Sequence, residues 1–179
     1  QTKTTTIFAT HDRLEALRLS DRIAVMKAGK IIQIDTPEKV MNSPTDEFVA
    51  AFVGVETILT GKVTKQNGGS FITSIAGKEI EAVGHVHAGE EVILCIRPEN
   101  VILSPVASKE TTSARNVFTG RIEKVIPLGL FQRVQLDCGF SLVAFVTNHS
   151  MSELSLREGK EMIASFKATA IHVVRRGKH

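Results

Sequence analysis

The chain has 179 residues, of which 42% are hydrophobic and 23% are charged, with a formal net charge of +3. This much apolar content supports one large or two small domains with real cores. Mild basicity, Phe as the only aromatic residue type and the lack of a Lys/Arg stripe argue against a nucleic-acid partner. No apolar run approaches the ~20 residues that span a bilayer.

The first zone, residues 1–54, alternates short apolar runs with helix signals. Residues 4–10 are typical of a strand, and Asp12 is a plausible N-cap for a helix that ends near Leu19. Residues 23–26 and 31–34 predict two short strands around a Gly-containing turn. Thr36-Pro37-Glu38 marks a second helix start, and residues 46–53 predict a third helix that Gly54 ends. Because the chain begins directly with a strand-like segment, we expect it to be an excised piece of a longer protein.

From residue 57 the apolar pattern changes to period two, which is typical of strands. Polar residues 108–112 predict a linker between two sets of strands, and residues 149–156 predict a short helix inside the second set. Several short strands separated by Gly turns favour a small barrel or sandwich. The predicted strands are residues 59–64, 70–75, 78–82, 91–96 and 101–103, then 118–126, 131–137, 141–147, 162–167 and 170–175.

The two sets of strands also resemble each other. Leu59-Thr60-Gly61-Lys62-Val63 opens the first set and Phe118-Thr119-Gly120-Arg121-Ile122 opens the second. A Gly-Glu/Lys-Glu turn precedes a later strand in each set, at Gly89 and at Gly159. These similarities indicate a duplicated barrel motif.

Residues 9–54 resemble the end of the ATPase domain of ABC importers. The residues that carry the resemblance are Ala9-Thr10-His11-Asp12, Leu19-Ser20-Asp21-Arg22-Ile23-Ala24-Val25-Met26, Gly29-Lys30-Ile31, Thr36-Pro37-Glu38 and the Phe48…Phe52-Val53-Gly54 exit. The resemblance implies that His11 is the switch histidine, which touches the γ-phosphate of ATP in the intact ATPase. An imidazole can donate a hydrogen bond to a developing anionic oxygen. The alternative is that His11 only packs or caps at the end of a strand.

Other parts of an ATPase are missing from the sequence. There is no GxxxxGK[ST] phosphate loop, no apolar run that ends in Asp-Glu, and no LSGGQ-like signature. Phosphoryl transfer depends on these parts. The resemblance therefore implies ATP and Mg²⁺ as cofactors of the intact parent protein, and we expect this chain alone to need no cofactor and to hydrolyse no ATP.

The later zones resemble the accessory β domains of such importers, of the TOBE type. Ile96-Arg97-Pro98-Glu99-Asn100-Val101 matches a recurrent phrase of these domains, and residues 113–176 look like the small molybdate-binding (Mop) fold. The expected fold class is mainly β, with small antiparallel OB/Mop-like barrels after an α/β remnant of the ATPase domain. The expected domains are residues 1–54, 55–107 and 113–177.

The Mop resemblance implies an oxyanion site. A tetrahedral dianion only accepts hydrogen bonds, so its site must supply donors and a compensating cation. By resemblance, Ser113, Thr147 and Ser150 offer hydroxyls, Lys167 and Arg115 bring positive charge, and Ala114 and Ala168 offer backbone N–H groups. In the family these sites form between two copies of the fold, so a homodimer is expected.

Each of these residues also has a simpler interpretation. Lys167 fits an outward position on an alternating strand, Ser113 fits a linker, and Thr147 and Ser150 fit a helix cap. Arg115 fits an ion pair with a carboxylate such as Glu123. His85 and His87 have no third ligand nearby, so a metal site is not expected, and Cys95 and Cys138 fit two buried thiols.

Two functions remain open on these observations. One is regulation of an importer by molybdate or tungstate, with the transmembrane permease as partner and a cytoplasmic location on the inner face of the membrane. The other is a ligand-free dimerisation or protein-interaction module in the importer of another solute, such as a sugar, a polyamine or sulfate. A free-standing anion-storage protein would not need the first fifty residues.

Overall fold

A computed structural model describes residues 4–107 and 112–175, and these residues form two compact units that divide between Val53 and Gly54. The first unit contains three short helices and one hairpin. Its helices are α1 (Arg13–Leu19), α2 (Pro37–Asn42) and α3 (Glu47–Phe52), and its strands are β1 (Ile23–Lys27) and β2 (Lys30–Asp35).

Side-chain caps place the three helix starts where the sequence predicts them. The Asp12 carboxylate accepts from the backbone N–H groups of Leu14 and Glu15, at 2.7 and 3.2 Å. Thr36 and Asp46 cap α2 and α3 in the same way. Each cap satisfies donors that the first helical turn leaves without a partner.

Residues 4–10 do not form the predicted strand. Within the described residues, β1 and β2 make up the only sheet of this unit, and they pair with each other. A strand needs a neighbour to satisfy its backbone groups, so the β-like pattern of residues 4–10 has no ladder to join. Ile7 and Phe8 stay exposed.

The second unit is mainly β, as predicted, and consists of two curled antiparallel five-stranded sheets. Its strands match the predicted ones, with ends that shift by up to three residues. The first five are β3 (Thr57–Asn67), β4 (Ser70–Ile75), β5 (Lys78–Val83), β6 (Glu91–Ile96) and β7 (Ile102–Ser104). The others are β8 (Asn116–Leu128), β9 (Phe131–Asp137), β10 (Ser141–Thr147), β11 (Glu161–Phe166) and β12 (Ile171–Arg175), with helix α4 at Asn148–Glu153.

The second unit is an internal repeat in which β3 to β7 correspond to β8 to β12. The same backbone contacts recur: Gly89 N donates to Val63 O at 2.8 Å, and Gly159 N donates to Ile122 O at 2.8 Å. The long first strand of each repeat also has a bulge at the same place, just after Val63 in β3 and just after Ile122 in β8. The duplication that the sequence indicates is therefore present in the fold.

The two repeats exchange their last strands. β7 pairs with β11 and so lies in the sheet of the second repeat, while β12 pairs with β6 in the sheet of the first. One continuous apolar core includes buried residues from both repeats, such as Phe71, Leu94, Leu136 and Phe166. Residues 55–107 and 113–175 are consequently joined in one compact unit. Of the predicted linker, residues 108–111 lie outside the described part of the chain.

Candidate functional site

Five of the predicted site residues lie together at one end of the second-repeat sheet. Ser113, Ala114 and Arg115 immediately precede β8, and Lys167 and Ala168 immediately follow β11. Since Phe166 and Asn116 are cross-strand partners in the antiparallel pair, the two segments leave the sheet side by side. Ser113, Arg115 and Lys167 are exposed, and Ala168 is buried. We call Ser113, Arg115 and Lys167 the basic group.

Thr147 and Ser150 form a separate hydroxyl pair. Thr147 ends β10 and caps α4, where its Oγ1 accepts from the backbone N–H of Ser150 at 3.1 Å. The two side-chain hydroxyls are 3.0 Å apart. The cap is thus real, and it holds two hydroxyls next to each other at the surface, with Thr147 exposed and Ser150 partly exposed.

The basic group and the hydroxyl pair lie at opposite ends of β8. Thr147 pairs with Phe131, and Phe131 pairs with Leu128 at the last position of β8. The basic group adjoins Asn116, at the first position of this 13-residue strand. One copy of the chain therefore divides the predicted donors into two half-sites.

Two groups expected to take part in the site or to pair with Arg115 already have hydrogen-bond partners. Ala114 N already donates to the Thr112 hydroxyl at 3.1 Å. Glu123, the carboxylate suggested as a partner for Arg115, accepts instead from Gln135 Nε2 at 3.0 Å. The side chains of Ser113, Arg115 and Lys167 are available to an anion at the basic group, whereas the Ala114 N–H becomes available only if it leaves Thr112.

Asn116 is a positioning residue that sequence reasoning missed. It is 1% exposed, and its side-chain amide bonds both backbone groups of Glu81 at 2.9 Å. In the first repeat, the equivalent Thr57 accepts from Val143 N at 3.0 Å. These bonds tie the start of each long strand to the other repeat, and hence fix where residues 113–115 leave the sheet. A polar residue at the start of an apolar strand was the available signal.

His11 lies in the first unit, exposed and immediately before the Asp12 cap of α1. In the second unit, His85 and His87 are exposed, and Cys95 and Cys138 are buried. Across residues 4–107 and 112–175, no group of three His, Cys, Asp or Glu side chains is arranged to hold a metal ion. The same residues include no helix long and apolar enough to cross a membrane.

Residues 112–173 match the model of the TOBE domain. A molybdate/tungstate import ATP-binding protein of Pyrococcus horikoshii is 40% identical over 170 residues, which cover 94% of this chain and 47% of that protein. A spermidine/putrescine import ATP-binding protein of Fusobacterium nucleatum is 38% identical over 133 residues, covering 70% of this chain and 34% of the relative.

A trehalose/maltose import ATP-binding protein of Thermococcus litoralis is 33% identical over 175 residues, covering 94% of this chain and 46% of the relative. The chain thus spans at most about half the length of these relatives. Among solved structures, the cytoplasmic molybdate-binding protein ModG with molybdate bound has a TM-score of 0.60 at 23% identity, covering 68% of this chain and 97% of that one. This likeness concerns the fold.

Proposed function

Because this chain matches the C-terminal part of ABC importer ATP-binding subunits and carries a TOBE domain, we propose that its β-rich unit binds a tetrahedral oxyanion, molybdate or tungstate, and so regulates import. The observation that carries the proposal is the pair of half-sites, one cationic and one rich in hydroxyls, at the two ends of β8. The names of two relatives as molybdate/tungstate import proteins support the choice of anion.

The chemistry of the two half-sites suits a dianion. Lys167 and Arg115 supply charge, and Ser113, Thr147 and Ser150 supply hydroxyl donors. A hydrogen bond to a charged group contributes about 1.5–3 kcal/mol net, and a neutral one about 1 kcal/mol. Several such bonds together support micromolar binding, which corresponds to about −8 kcal/mol.

The site is completed between two copies of the chain. Since one copy holds its basic group and its hydroxyl pair at opposite ends of β8, both reach one anion only if the basic group of one copy meets the hydroxyl pair of another. A twofold arrangement produces two equivalent sites per dimer. Anion binding and dimerisation then stabilise each other.

Thermal unfolding in increasing molybdate, tungstate and sulfate tests the proposal. A ligand that binds only the folded state raises the melting temperature by mass action. We expect molybdate and tungstate to raise it, and Lys167→Ala to abolish the rise. Lys124→Ala is the matched control, because Lys124 is an exposed lysine in the middle of β8, away from both half-sites. No rise at millimolar oxyanion would refute the proposal.

A ligand-free interaction module is the second candidate. The relatives named for spermidine/putrescine and trehalose/maltose import support it, because they align with the same region of this chain. It predicts dimers whose stability is indifferent to oxyanions. Light scattering with and without molybdate separates the two functions.

For the intact parent protein, we propose ATP and Mg²⁺ as cofactors, with His11 as the residue that contacts the γ-phosphate. The transmembrane permease of the importer would be its partner, which places the protein at the inner face of the membrane. Replacing His11 by Ala in the full-length protein should reduce ATP hydrolysis while leaving the oxyanion response of the β-rich unit unchanged. An unchanged rate of hydrolysis would remove His11 from the mechanism.

A further inference from the structure

The hairpin between β8 and β9 ends in an exposed apolar tip. Leu128, Leu130 and Phe131 are 41%, 83% and 42% exposed, and we call these three residues the apolar tip. Phe131 also stacks on Phe145 of β10, with ring centroids 5.6 Å apart. The stacking holds one face of the tip against the sheet and leaves the other face to solvent.

The internal repeat shows that the fold does not require this tip. The equivalent hairpin between β3 and β4 ends in Asn67-Gly68-Gly69-Ser70, which is polar. β3 is also shorter, with 11 residues against 13 in β8. The hairpin of the second repeat is therefore longer than that of the first, and its end is apolar. Because this end is exposed, packing in the core of the protein does not explain its apolar side chains.

A second exposed apolar pair lies at the other end of β8. Ile102 and Val117 are 63% and 48% exposed. Both are cross-strand partners of Ser165, so the three side chains form a row on the same face of β7, β11 and β8. We call Ile102 and Val117 the apolar row.

Each apolar patch flanks one half of the candidate anion site. The apolar row lies one residue from the Asn116–Phe166 pair, where the basic group leaves the sheet. The apolar tip includes Phe131, the cross-strand partner of Thr147. Among the described residues of the second unit, Val83 and Val106 are the other large apolar side chains that are exposed. Five of these seven exposed side chains therefore lie beside one half or the other of the candidate anion site.

We propose that the apolar tip of one copy packs against the apolar row of a second copy, and the reverse, around a twofold axis. This inference rests on the proposed function, which identifies a second copy of the chain as the partner. The contact that joins the basic group of one copy to the hydroxyl pair of the other also joins the apolar row to the apolar tip. A twofold dimer therefore has two such apolar contacts, and each lies beside one anion site.

A charge-swap experiment on the whole chain tests whether tip and row meet. Leu130→Glu places a carboxylate in both contacts of its own homodimer, opposite Ile102. Ile102→Lys places an ammonium in both contacts of its own homodimer, opposite Leu130. We expect sedimentation equilibrium to show a dimer for the unsubstituted chain and a dimerisation constant at least tenfold weaker for each variant alone. An equimolar mixture of the two variants should dimerise again, because the mixed dimer has one Glu–Lys contact and one original contact.

Asn67→Glu is the matched control, because Asn67 is exposed at the end of β3, in the equivalent hairpin of the first repeat. It should leave dimerisation unchanged. A monomeric unsubstituted chain, variants that dimerise normally, or a mixture that stays monomeric would each overturn the proposed interface. A circular-dichroism spectrum that is unchanged in each variant excludes loss of the fold.

The interface and the anion site fail separately in this design. Dimers that respond to the charge swap but whose melting temperature is indifferent to molybdate would keep the interface and refute the anion function. Molybdate binding by dimers in which Leu130→Glu and Ile102→Lys have no effect would keep the function and refute this interface.

Discussion

The side-chain amide of Asn116 forms a closed pair of hydrogen bonds with the backbone of Glu81, donating to its carbonyl and accepting from its N–H, both at 2.9 Å. The two residues belong to different repeats, and Asn116 is almost fully buried. This pair anchors the start of β8, and with it the segment that holds Ser113 and Arg115. The bond is therefore structural, but it sets the position of one half of the candidate site.

Replacing Asn116 with Ala should destabilise the second unit substantially. The substitution leaves the N–H and carbonyl of Glu81 without their side-chain partners, and each unsatisfied buried group costs about 1–3 kcal/mol. We expect a loss of about 2–5 kcal/mol in the free energy of unfolding, measured by urea denaturation.

Thr57→Val is the internal comparison for Asn116→Ala. Thr57 satisfies a single backbone group, Val143 N, so its replacement should cost about 1–3 kcal/mol. A cost for Asn116→Ala that does not exceed the cost for Thr57→Val would contradict the role assigned to the pair of hydrogen bonds between Asn116 and Glu81.

Gly120 should not tolerate a side chain. A Cβ built on Gly120 would lie 2.5 Å from Cys138 Sγ and 3.3 Å from the Asp137 carbonyl oxygen. Forcing extra atoms into a packed site typically costs about 1–3 kcal/mol, which we expect for Gly120→Ala in thermal or urea unfolding. The cost should fall in a Cys138→Ala background, because the nearest atom is then gone. Equal costs in both backgrounds would show that the sulfur is not the obstacle.

Cys138 should make the stability of the fold depend on pH in the alkaline range. Burial raises the pKa of its thiol from 9.0 to about 11, with the neighbouring Asp137 carboxylate adding to the rise and Lys78 opposing it. Because the folded-state pKa is the higher one, the contribution is complete below pH 9 and is lost as the pH rises from 9 to about 11.

Urea unfolding of the original chain and of Cys138→Ala, each from pH 8 to 10.5, measures this effect. The stability advantage of the original chain over Cys138→Ala should shrink as the pH rises. A constant difference across this range would show that the thiol titrates alike in the folded and unfolded chain.

The chain should not hydrolyse ATP. Its sequence has no phosphate loop and no apolar run that ends in Asp-Glu, and phosphoryl transfer depends on the charge neutralisation that these parts supply. Phosphate release by the purified chain should equal the buffer blank at millimolar ATP and Mg²⁺. Activity that disappears on His11→Ala would show that the chain carries a complete catalytic site.

Local signals in the sequence predicted most elements of the fold. Thr36 followed by Pro37, and Asp46 before Glu47, predicted helix starts because caps act within a few residues. The alternating pattern of residues 131–137 and 141–147 predicted β9 and β10 with their observed bounds, because side-chain alternation is a property of a single strand. Residues 4–10 show the opposite case: a strand pattern without a neighbouring strand leaves its backbone groups unpaired, so no strand forms.

The sequence by itself determined the mainly β class, the repeat, and the residue types that suit an anion. Only the tertiary structure decided that β7 and β12 change sheets, that Asn116 binds Glu81, and that Lys167 and Thr147 lie at opposite ends of β8. The physical reason is the range of the forces involved. Caps and alternation depend on neighbours along the chain, whereas strand pairing depends on burying both repeats in one shared core, and that pairing sets which side chains meet.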